Sequence, residues 1–224
     1  MTSPLQLDGP RQAPQSGGEP EQLIVFLHGV GADGNDLIGL APVLAPLFPD
    51  AAFVSPDAPW PCDMAPMGRQ WFSLQSRAPQ DLYAGAEGAR ELLDAFLEAE
   101  LARSGLDDSR LALFGFSQGC MMALHAAMRR PRPLAGVLGF SGHLVGPEKL
   151  ASEIRSRPPV LLVHGDADEV VPFGALQVAE QALQAAEVPV EAHRRPGLGH
   201  GIDQGGLELA ARFLQRVFRQ PGAS

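Results

Sequence analysis

The segment most suggestive of chemistry is GFSQG at residues 115–119, which sets Ser117 between two glycines in a G-x-S-x-G pattern. It follows the apolar run 111–116 and precedes a helical pattern. In that strand–turn–helix context a sharp turn raises a serine hydroxyl above a sheet, where it can attack as a nucleophile. The alternative interpretation is a tight turn with an incidental serine, so the pentapeptide needs partner residues to support it.

The candidate acids follow the apolar run 159–164, in GDADEVVP at residues 165–172. A nucleophilic serine needs a base, and the base needs a carboxylate to orient it. Asp166, Asp168 and Glu169 all lie in this turn. We predict Asp168 as the orienting acid because it stands close to the Val-Val-Pro that opens the next helix, whereas Asp166 would cap or brace the loop.

The candidate base is His200, in GLGHG at residues 197–201 after the apolar run 188–194. Open α/β sheets build their sites at the carboxyl ends of strands, and both partner segments fall at such ends. The chain order Ser117, Asp168, His200 is the order that this kind of sheet requires. Three independent placements therefore predict a Ser-His-Asp triad.

Two other patterns suggest different chemistry. GVGADG at residues 29–34 matches the G-x-G-x-x-G dinucleotide fingerprint, after a strand-like run and before a helical one. Asp33 would then put a carboxylate inside the phosphate cradle, so a dinucleotide-binding oxidoreductase is the outsider. His164, Asp166 and Asp168 have a spacing that metal ligands use, but no further His or Cys cluster supports a metal.

Alternating patterns along the chain predict the elements that position these residues. Apolar, β-rich runs predict strands at 23–27, 51–54, 111–116, 134–140, 159–164 and 188–194. Helical patterns lie at 35–47, 81–104, 118–129, 173–186 and 207–218, with Asp81 as N-cap and Gly105 after the end of the second. Continuous apolar strands that alternate with helices are typical of a parallel α/β sheet covered on both faces.

Domain organisation is predicted to be simple. Residues 1–22 carry four prolines and predict an irregular lead-in with a short edge strand at 5–7, followed by a single domain at 23–224. The connection between Val54 and Asp81 is too long for an ordinary loop, which indicates function. Its large apolar residues are predicted to wall a substrate cleft, with a cluster that staples the loop as the alternative: Trp60, Met64, Met67, Trp71 and Phe72.

Composition excludes several classes of protein. With 17 basic and 26 acidic residues the net charge is -9, which argues against binding nucleic acid or anionic lipid. Cys62 and Cys120 are too few for a disulfide framework and suit a reducing cytoplasm. No signal-peptide pattern is visible at the start. The uncharged stretch 111–128 is interpreted as strand, elbow and buried helix, so we expect a cytoplasmic protein with no integral membrane segment.

Four segments together resemble the phospholipase/carboxylesterase family, a group of small α/β-hydrolases that includes the acyl-protein thioesterases. They are LHGVG (27–31), GFSQG (115–119), GDADEVVP (165–172) and GLGHG (197–201), and GRQWF (68–72) is also similar to esterases of this group. The resemblance extends from residue 23 to residue 218 in the order and spacing of motifs. It implies an α/β-hydrolase fold, with a mostly parallel central sheet, helices on both faces and no separate cap domain.

The resemblance also implies which residues act. It implies a Ser117–Asp168–His200 triad and an oxyanion hole made by the backbone N–H groups of Val30 and Gln118. Family members commonly carry leucine in place of Val30, a difference that affects pocket shape more than a main-chain donor. The GVGADG match then becomes an oxyanion loop, whose glycines permit unusual backbone angles. Neither a cofactor nor a metal is required.

The remaining polar candidates are interpreted as structural. His28 is predicted to brace the oxyanion loop through a hydrogen bond, and His125 to pack within the elbow helix. His143 is interpreted as a loop residue, with a place in the cleft as the alternative. Cys120 is predicted to be a small buried residue.

The expected activity is that of a serine carboxylesterase. It would hydrolyse short- to medium-chain acyl esters or thioesters through an acyl-enzyme intermediate. A lysophospholipase or an acyl-protein thioesterase is the alternative, and a binding protein without activity is a further one. The expected partner is a small-molecule ester or thioester, in an open, shallow and apolar cleft. An apolar loop rim also allows a homodimer.

Overall fold

A computed structural model of the protein describes residues 6–219 and centres on a seven-stranded sheet. The strands are β1 (Arg11–Gln12), β2 (Gln22–Leu27), β3 (Ala51–Val54), β4 (Trp60–Pro61), β5 (Arg69–Gln70), β6 (Leu111–Phe116), β7 (Gly136–Phe140), β8 (Val160–Gly165) and β9 (Val190–Arg195). The sheet order is β1-β3-β2-β6-β7-β8-β9, and β4 pairs with β5 in a separate hairpin. Every neighbouring pair in the sheet is parallel except β1 and β3. The predicted mostly parallel sheet is therefore confirmed.

Helices cover both faces of the sheet, as predicted. They are α1 (Gly34–Ile38), α2 (Ala41–Leu44), α3 (Pro79–Ser104), α4 (Gln118–Ala127), α5 (Leu150–Glu153), α6 (Gly174–Ala185) and α7 (Gln204–Arg219). Buried side chains of α3, α4 and α6 form one core, and those of α1, α2 and α7 form the other. Successive residues of β6 enter these two cores in turn: Leu111 and Leu113 the first, Ala112 and Phe114 the second. This is why the strand is a continuous apolar run.

The uncharged stretch 111–128 consists of β6, the turn at Ser117 and α4, as the sequence predicts. Within residues 6–219, no helix has the length and apolar character that spanning a bilayer would demand.

The start of α3 differs from the prediction. The helix begins at Pro79 after an extended Ala78, so Asp81 lies in the first turn and is not the N-cap. Proline suits this position because its missing N–H would be unpaired there anyway. At the other end Gly105 has φ +67°, as expected for the residue that ends a helix.

The edge strand of the N-terminal segment is displaced from its predicted position. It forms at Arg11–Gln12, antiparallel to β3, whereas Gln6 and Leu7 are not in a strand and Leu5 lies outside the described residues. Arg11 accounts for the position, because its guanidinium pairs with the buried Glu100 of α3 at 2.7 Å.

Candidate active site

Ser117 occupies a strained turn between β6 and α4. Its backbone has φ +53° and ψ −117°, and its N–H donates to Phe140 O at the end of β7 (2.8 Å). The chain turns this sharply because Gly119 lies against β2: a Cβ there would be 1.8 Å from Leu27 O. Non-glycine residues at positive φ are uncommon and concentrate at functional sites. The geometry is that of a nucleophile elbow.

The side chains of Ser117, His200 and Asp168 form a continuous hydrogen-bonded chain. His200 Nε2 lies 3.0 Å from Ser117 Oγ, and His200 Nδ1 lies 2.8 Å from Asp168 Oδ2. Because a carboxylate only accepts, Nδ1 carries the proton and Nε2 is free to accept the serine proton. The structure thus brings together the three residues that sequence reasoning selected from separate strand ends.

Asp168 is held as a buried carboxylate. Its side chain is fully buried, and Oδ1 accepts hydrogen bonds from the N–H groups of Val170 and Val171, both at 2.9 Å. Burial by itself would raise the pKa of Asp168, but the hydrogen bonds from His200 and from these two amides outweigh it and hold the pKa below its usual value. The group therefore stays ionised at neutral pH and can stabilise an imidazolium at His200.

The other acids of this turn have different partners. Asp166 accepts from Arg194 Nε (2.6 Å) and from Gly197 N (2.7 Å), which ties its loop to the one that carries His200. Glu169 is exposed. Asp166 therefore braces the loop, which was its predicted role. His164, the third residue with metal-ligand spacing, donates from Nε2 to Val171 O at 2.9 Å.

Two backbone hydrogen bonds to Arg69 fix the conformation of the loop that carries Val30, and Val30 lines the cavity beside Ser117. Gly31, at φ +83°, donates to Arg69 O (2.8 Å), and Arg69 N donates back to Ala32 O (2.7 Å). Within residues 6–219, the amide N–H groups of Val30 and Gln118 meet no acceptor. Both are thus free to donate to a developing oxyanion, as an oxyanion hole requires.

The same loop does not form a phosphate cradle. Asp33 Oδ1 accepts from Asn35 N at 2.8 Å and so caps the N-terminus of α1. A pyrophosphate would have to bind at that helix end and would meet this carboxylate. The dinucleotide alternative therefore has no geometric support here.

His28 braces the oxyanion loop as predicted. Its Nδ1 donates to Gly29 O (2.8 Å), and its Nε2 accepts from Ala58 N (3.0 Å), which fixes one neutral tautomer. Burial lowers the pKa of His28 and keeps the ring neutral. Trp71 Nε1 completes the link by donating to His28 O at 3.0 Å.

Two further side chains of the elbow helix are buried. His125 bonds to Glu87 through Nε2 (2.9 Å), and burial lowers its pKa to about 4. Cys120 lies in the core, where burial raises the pKa of its thiol to about 12. A thiol that stays protonated is not a competing nucleophile.

Gln118 has a second role that sequence reasoning did not detect. Its side chain is buried, with Oε1 accepting from Trp71 N (2.8 Å) and Nε2 donating to Phe72 O (2.7 Å). It therefore clamps the long loop to the start of α4. The neighbourhood in sequence gives no signal of this contact, because the partners lie 46 and 47 positions away.

Replacing Gln118 with alanine is expected to lower the free energy of unfolding by about 2–5 kcal/mol, because two buried backbone groups lose their partners and a cavity remains. Urea unfolding followed by circular dichroism measures the change. Gln204→Ala is the matched control, since Gln204 also begins a helix but its side chain bonds, among the described residues, only to Glu208 at the surface (3.3 Å). Equal stability of the two variants would contradict the clamp.

A partly open cavity of about 350 Å³ lies beside Ser117. Apart from Ser117, Arg77 and His143, its lining is apolar: Val30, Met64, Leu74, Leu82, Met121, Val170, Val171 and Pro172. Arg77 is exposed and is the one charged side chain that residues 6–219 contribute to the lining. The arrangement suits an acyl chain, which needs apolar contact along its length.

The structure places one of the five predicted pocket residues in the lining of this cavity. Met64 lines the cavity, whereas Trp60 and Met67 lie on the β4–β5 hairpin and are not part of the lining, Met67 with 80% of its surface exposed. Trp71 and Phe72 are core residues with 0% and 2% exposure. They turn inward because Gln118 binds their backbone and because Gly85 of α3 leaves room for the Phe72 side chain: a Cβ at Gly85 would lie 2.7 Å from Phe72 Cβ.

Several of the lining residues were not predicted from the sequence. For two groups of them, their spacing from Asp168 or from Ser117 could have indicated a position at the cavity. Val171 and Pro172 come shortly after Asp168, so they share its strand end. Met121 stands one helical turn after Ser117 on α4 and therefore on the same face. Leu74 and Leu82 flank the start of α3, and their place beside Ser117 depends on how the long loop folds.

Comparison with known proteins gives a consistent result. The model of the phospholipase/carboxylesterase family matches residues 12–218. Esterase YpfH of Escherichia coli strain K12 is 31% identical over 205 residues, which cover 90% of this chain and 85% of that protein. Acyl-protein thioesterase 1 of Aspergillus fumigatus is 29% identical over 217 residues, 87% of each chain. Among solved structures, esterase PE8 is similar with a TM-score of 0.91 and 44% identity, covering 95% of this chain and 99% of PE8.

Proposed function

This chain belongs to the phospholipase/carboxylesterase family and is a hydrolase of carboxylic esters or thioesters, and we propose that it acts as a serine esterase on short- to medium-chain acyl substrates. In this proposal Ser117 is the nucleophile, His200 the general base and Asp168 the orienting acid. Val30 and Gln118 supply the oxyanion hole through their backbone N–H groups.

The observation that carries the proposal is the unbroken chain of hydrogen bonds from Asp168 through His200 to Ser117, at 2.8 Å and 3.0 Å. Both distances are within hydrogen-bond range, which is the first requirement for a general base and its orienter. The strained backbone of Ser117 further supports the role of nucleophile, because strain of this kind persists only where the surrounding structure enforces it.

Acylation follows from these positions. His200 Nε2 takes the hydroxyl proton as Ser117 Oγ bonds to the substrate carbonyl carbon, and the carbonyl π electrons move to its oxygen. The Val30 and Gln118 amides stabilise this oxyanion, and each such donor contributes about 3–4 kcal/mol in comparable sites. As the oxyanion collapses, the bond to the leaving oxygen or sulfur breaks, and the imidazolium returns its proton to the departing group.

Deacylation repeats the sequence with water as nucleophile. His200 removes a proton from water, whose oxygen attacks the acyl carbon, and the same two amides stabilise the second oxyanion. Collapse releases the carboxylic acid and restores the Ser117 hydroxyl with the proton held by His200. Buried Asp168 favours each imidazolium intermediate because its pKa keeps it ionised.

The cavity supports the preference for acyl length. Its volume of about 350 Å³ lies near the lower end of ligand pockets, about 300–1,000 Å³. Lysophospholipids and S-acyl proteins remain alternative substrates within the same chemistry, and a panel of p-nitrophenyl esters of increasing acyl length would rank the chain lengths that the cavity accepts.

The cellular setting completes the proposal. We infer a cytoplasmic location from the free thiols of Cys62 and Cys120, which suit a reducing compartment. The net charge of -9 argues against a nucleic-acid partner. A homodimer stays a prediction, based on exposed apolar residues such as Trp60 and Met67 at the loop rim.

A fluorophosphonate probe tests the proposal directly, since it modifies only an activated serine. Folded protein is expected to gain one adduct, located at Ser117 by mass spectrometry of peptides. Protein unfolded in urea is the control and is expected to gain none, because activation requires the assembled side chains. A folded sample without an adduct on Ser117 would leave a binding protein of hydrolase fold as the better description.

A further inference from the structure

The cavity beside Ser117 contains a histidine that the proposed reaction does not use. His143 follows β7 and lines this cavity with a half-buried side chain. Its position is fixed by the backbone: Phe140 O accepts from Ser117 N (2.8 Å), and Gly142 packs so closely that a Cβ would lie 2.8 Å from Ser117 O. His143 is therefore held beside the nucleophile by close packing on the elbow.

His143 also differs in its hydrogen bonding from four of the five other histidines. Each of those bonds to a protein group through at least one ring nitrogen: His28, His125, His164 and His200. Within residues 6–219, His143 makes no hydrogen bond. Within the described residues the buried side-chain atoms without a partner are Ser55 Oγ, His125 Nδ1 and Ser141 Oγ, so the ring nitrogens of His143 are not sealed off and can be reached by a ligand. Here the accessible space next to the ring is the cavity itself.

The chemistry of the ring limits what it can bind. Burial lowers the pKa of His143, so the imidazole is neutral at pH 7 and offers one N–H donor and one lone-pair acceptor. A hydroxyl or an amide group combines a donor with an acceptor in the same way. Met121, Val171 and the other apolar residues of the lining offer such a group no hydrogen bond.

We propose that His143 is a specificity-determining residue that binds a hydroxyl or amide group of the substrate close to the scissile carbonyl. The preferred substrates are accordingly esters or thioesters with such a group on either the acyl or the alcohol side, rather than plain aliphatic esters. The inference depends on the proposed function, because it assigns the substrate of the same cavity. His143 is not a catalytic base here, since His200 already contacts Ser117.

Two pairs of substrates, matched in size, test this assignment. On the acyl side the pair is p-nitrophenyl 3-hydroxybutyrate and p-nitrophenyl 3-methylbutyrate; on the alcohol side it is glycerol monobutyrate and 2-methylbutyl butyrate. For at least one pair, kcat/KM of the native protein is expected to favour the hydroxylated ester about 10-fold or more. His143→Phe, which keeps a planar ring without nitrogens, is expected to remove that preference, so that the ratio of kcat/KM within the pair falls close to one.

Two further variants make the result specific. His143→Asn retains a donor and an acceptor and is expected to restore part of the preference. His193→Phe is the matched control, because His193 lies on β9, in a strand outside the cavity, and should leave all four rates unchanged. A native protein without preference in either pair overturns the inference, as does an equal loss on both members of a pair in His143→Phe. If the native protein hydrolysed none of the four esters, that result would instead count against the proposed function.

Discussion

Ser117→Ala is expected to lower kcat for p-nitrophenyl butyrate by about 10⁴–10⁶-fold. The reason is that no neighbouring group can replace the hydroxyl. The Cys120 thiol is buried with a pKa of about 12, and without the serine hydroxyl His200 can activate only water, which is not held in place by a covalent bond to the protein. Release of p-nitrophenolate measures the rate, and circular dichroism checks that the variant is folded.

A second strained serine supplies the control for this experiment. Ser141 has φ +50°, close to the value at Ser117, and follows the adjacent strand β7, but its hydroxyl is buried and has no hydrogen-bond partner within the described part of the chain. Ser141→Ala is therefore expected to keep activity within about twofold, since no hydrogen bond is lost. If Ser117→Ala retained near-normal turnover, or if Ser141→Ala lost as much activity, Ser117 would not be the nucleophile.

The sheet and the helices were predictable because buried positions require apolar residues, and these form recognisable patterns in the sequence. β6 is apolar throughout because its alternate residues fill two separate cores, and α3 ends at Ser104 because the next residue, Gly105, adopts a left-handed backbone angle that suits glycine. The ends of such elements were less predictable. Asp81 has the side chain of an N-cap, yet Pro79 begins the helix, since its fixed φ serves the same purpose without a capping bond.

The site was predictable only as far as strand ends and chain order determine it. Ser117 and His200 follow from the elbow and the order of motifs, but residue type alone does not separate Asp168 from Asp166. That choice depends on which carboxylate reaches His200 and which reaches Arg194. The residues that line the cavity were still less predictable. An apolar residue such as Trp71 suits the core and a substrate cleft equally well, and only tertiary contacts decide that it lies in the core.

The choice between the two acids leads to the second large effect, that of Asp168→Asn. Asp168 Oδ1 accepts from the N–H groups of Val170 and Val171, so the asparagine carbonyl is expected to keep that side and to turn its NH₂ group towards His200 Nδ1. His200 must then accept at Nδ1 and carry its proton on Nε2. In that tautomer the ring faces the Ser117 hydroxyl with a proton and cannot act as its base.

Loss of the working tautomer and of the negative charge is expected to lower kcat about 10⁴-fold, with KM little changed because Asp168 does not line the cavity. Asp166→Asn is the matched control. Its carbonyl can still accept from Gly197 N, and what it loses is the ion pair with Arg194, whose side chain is 62% exposed, so we expect activity within about threefold of the native protein. A greater loss in Asp166→Asn than in Asp168→Asn would reverse the assignment, because the carboxylate that orients His200 has to be the one whose removal disables the base.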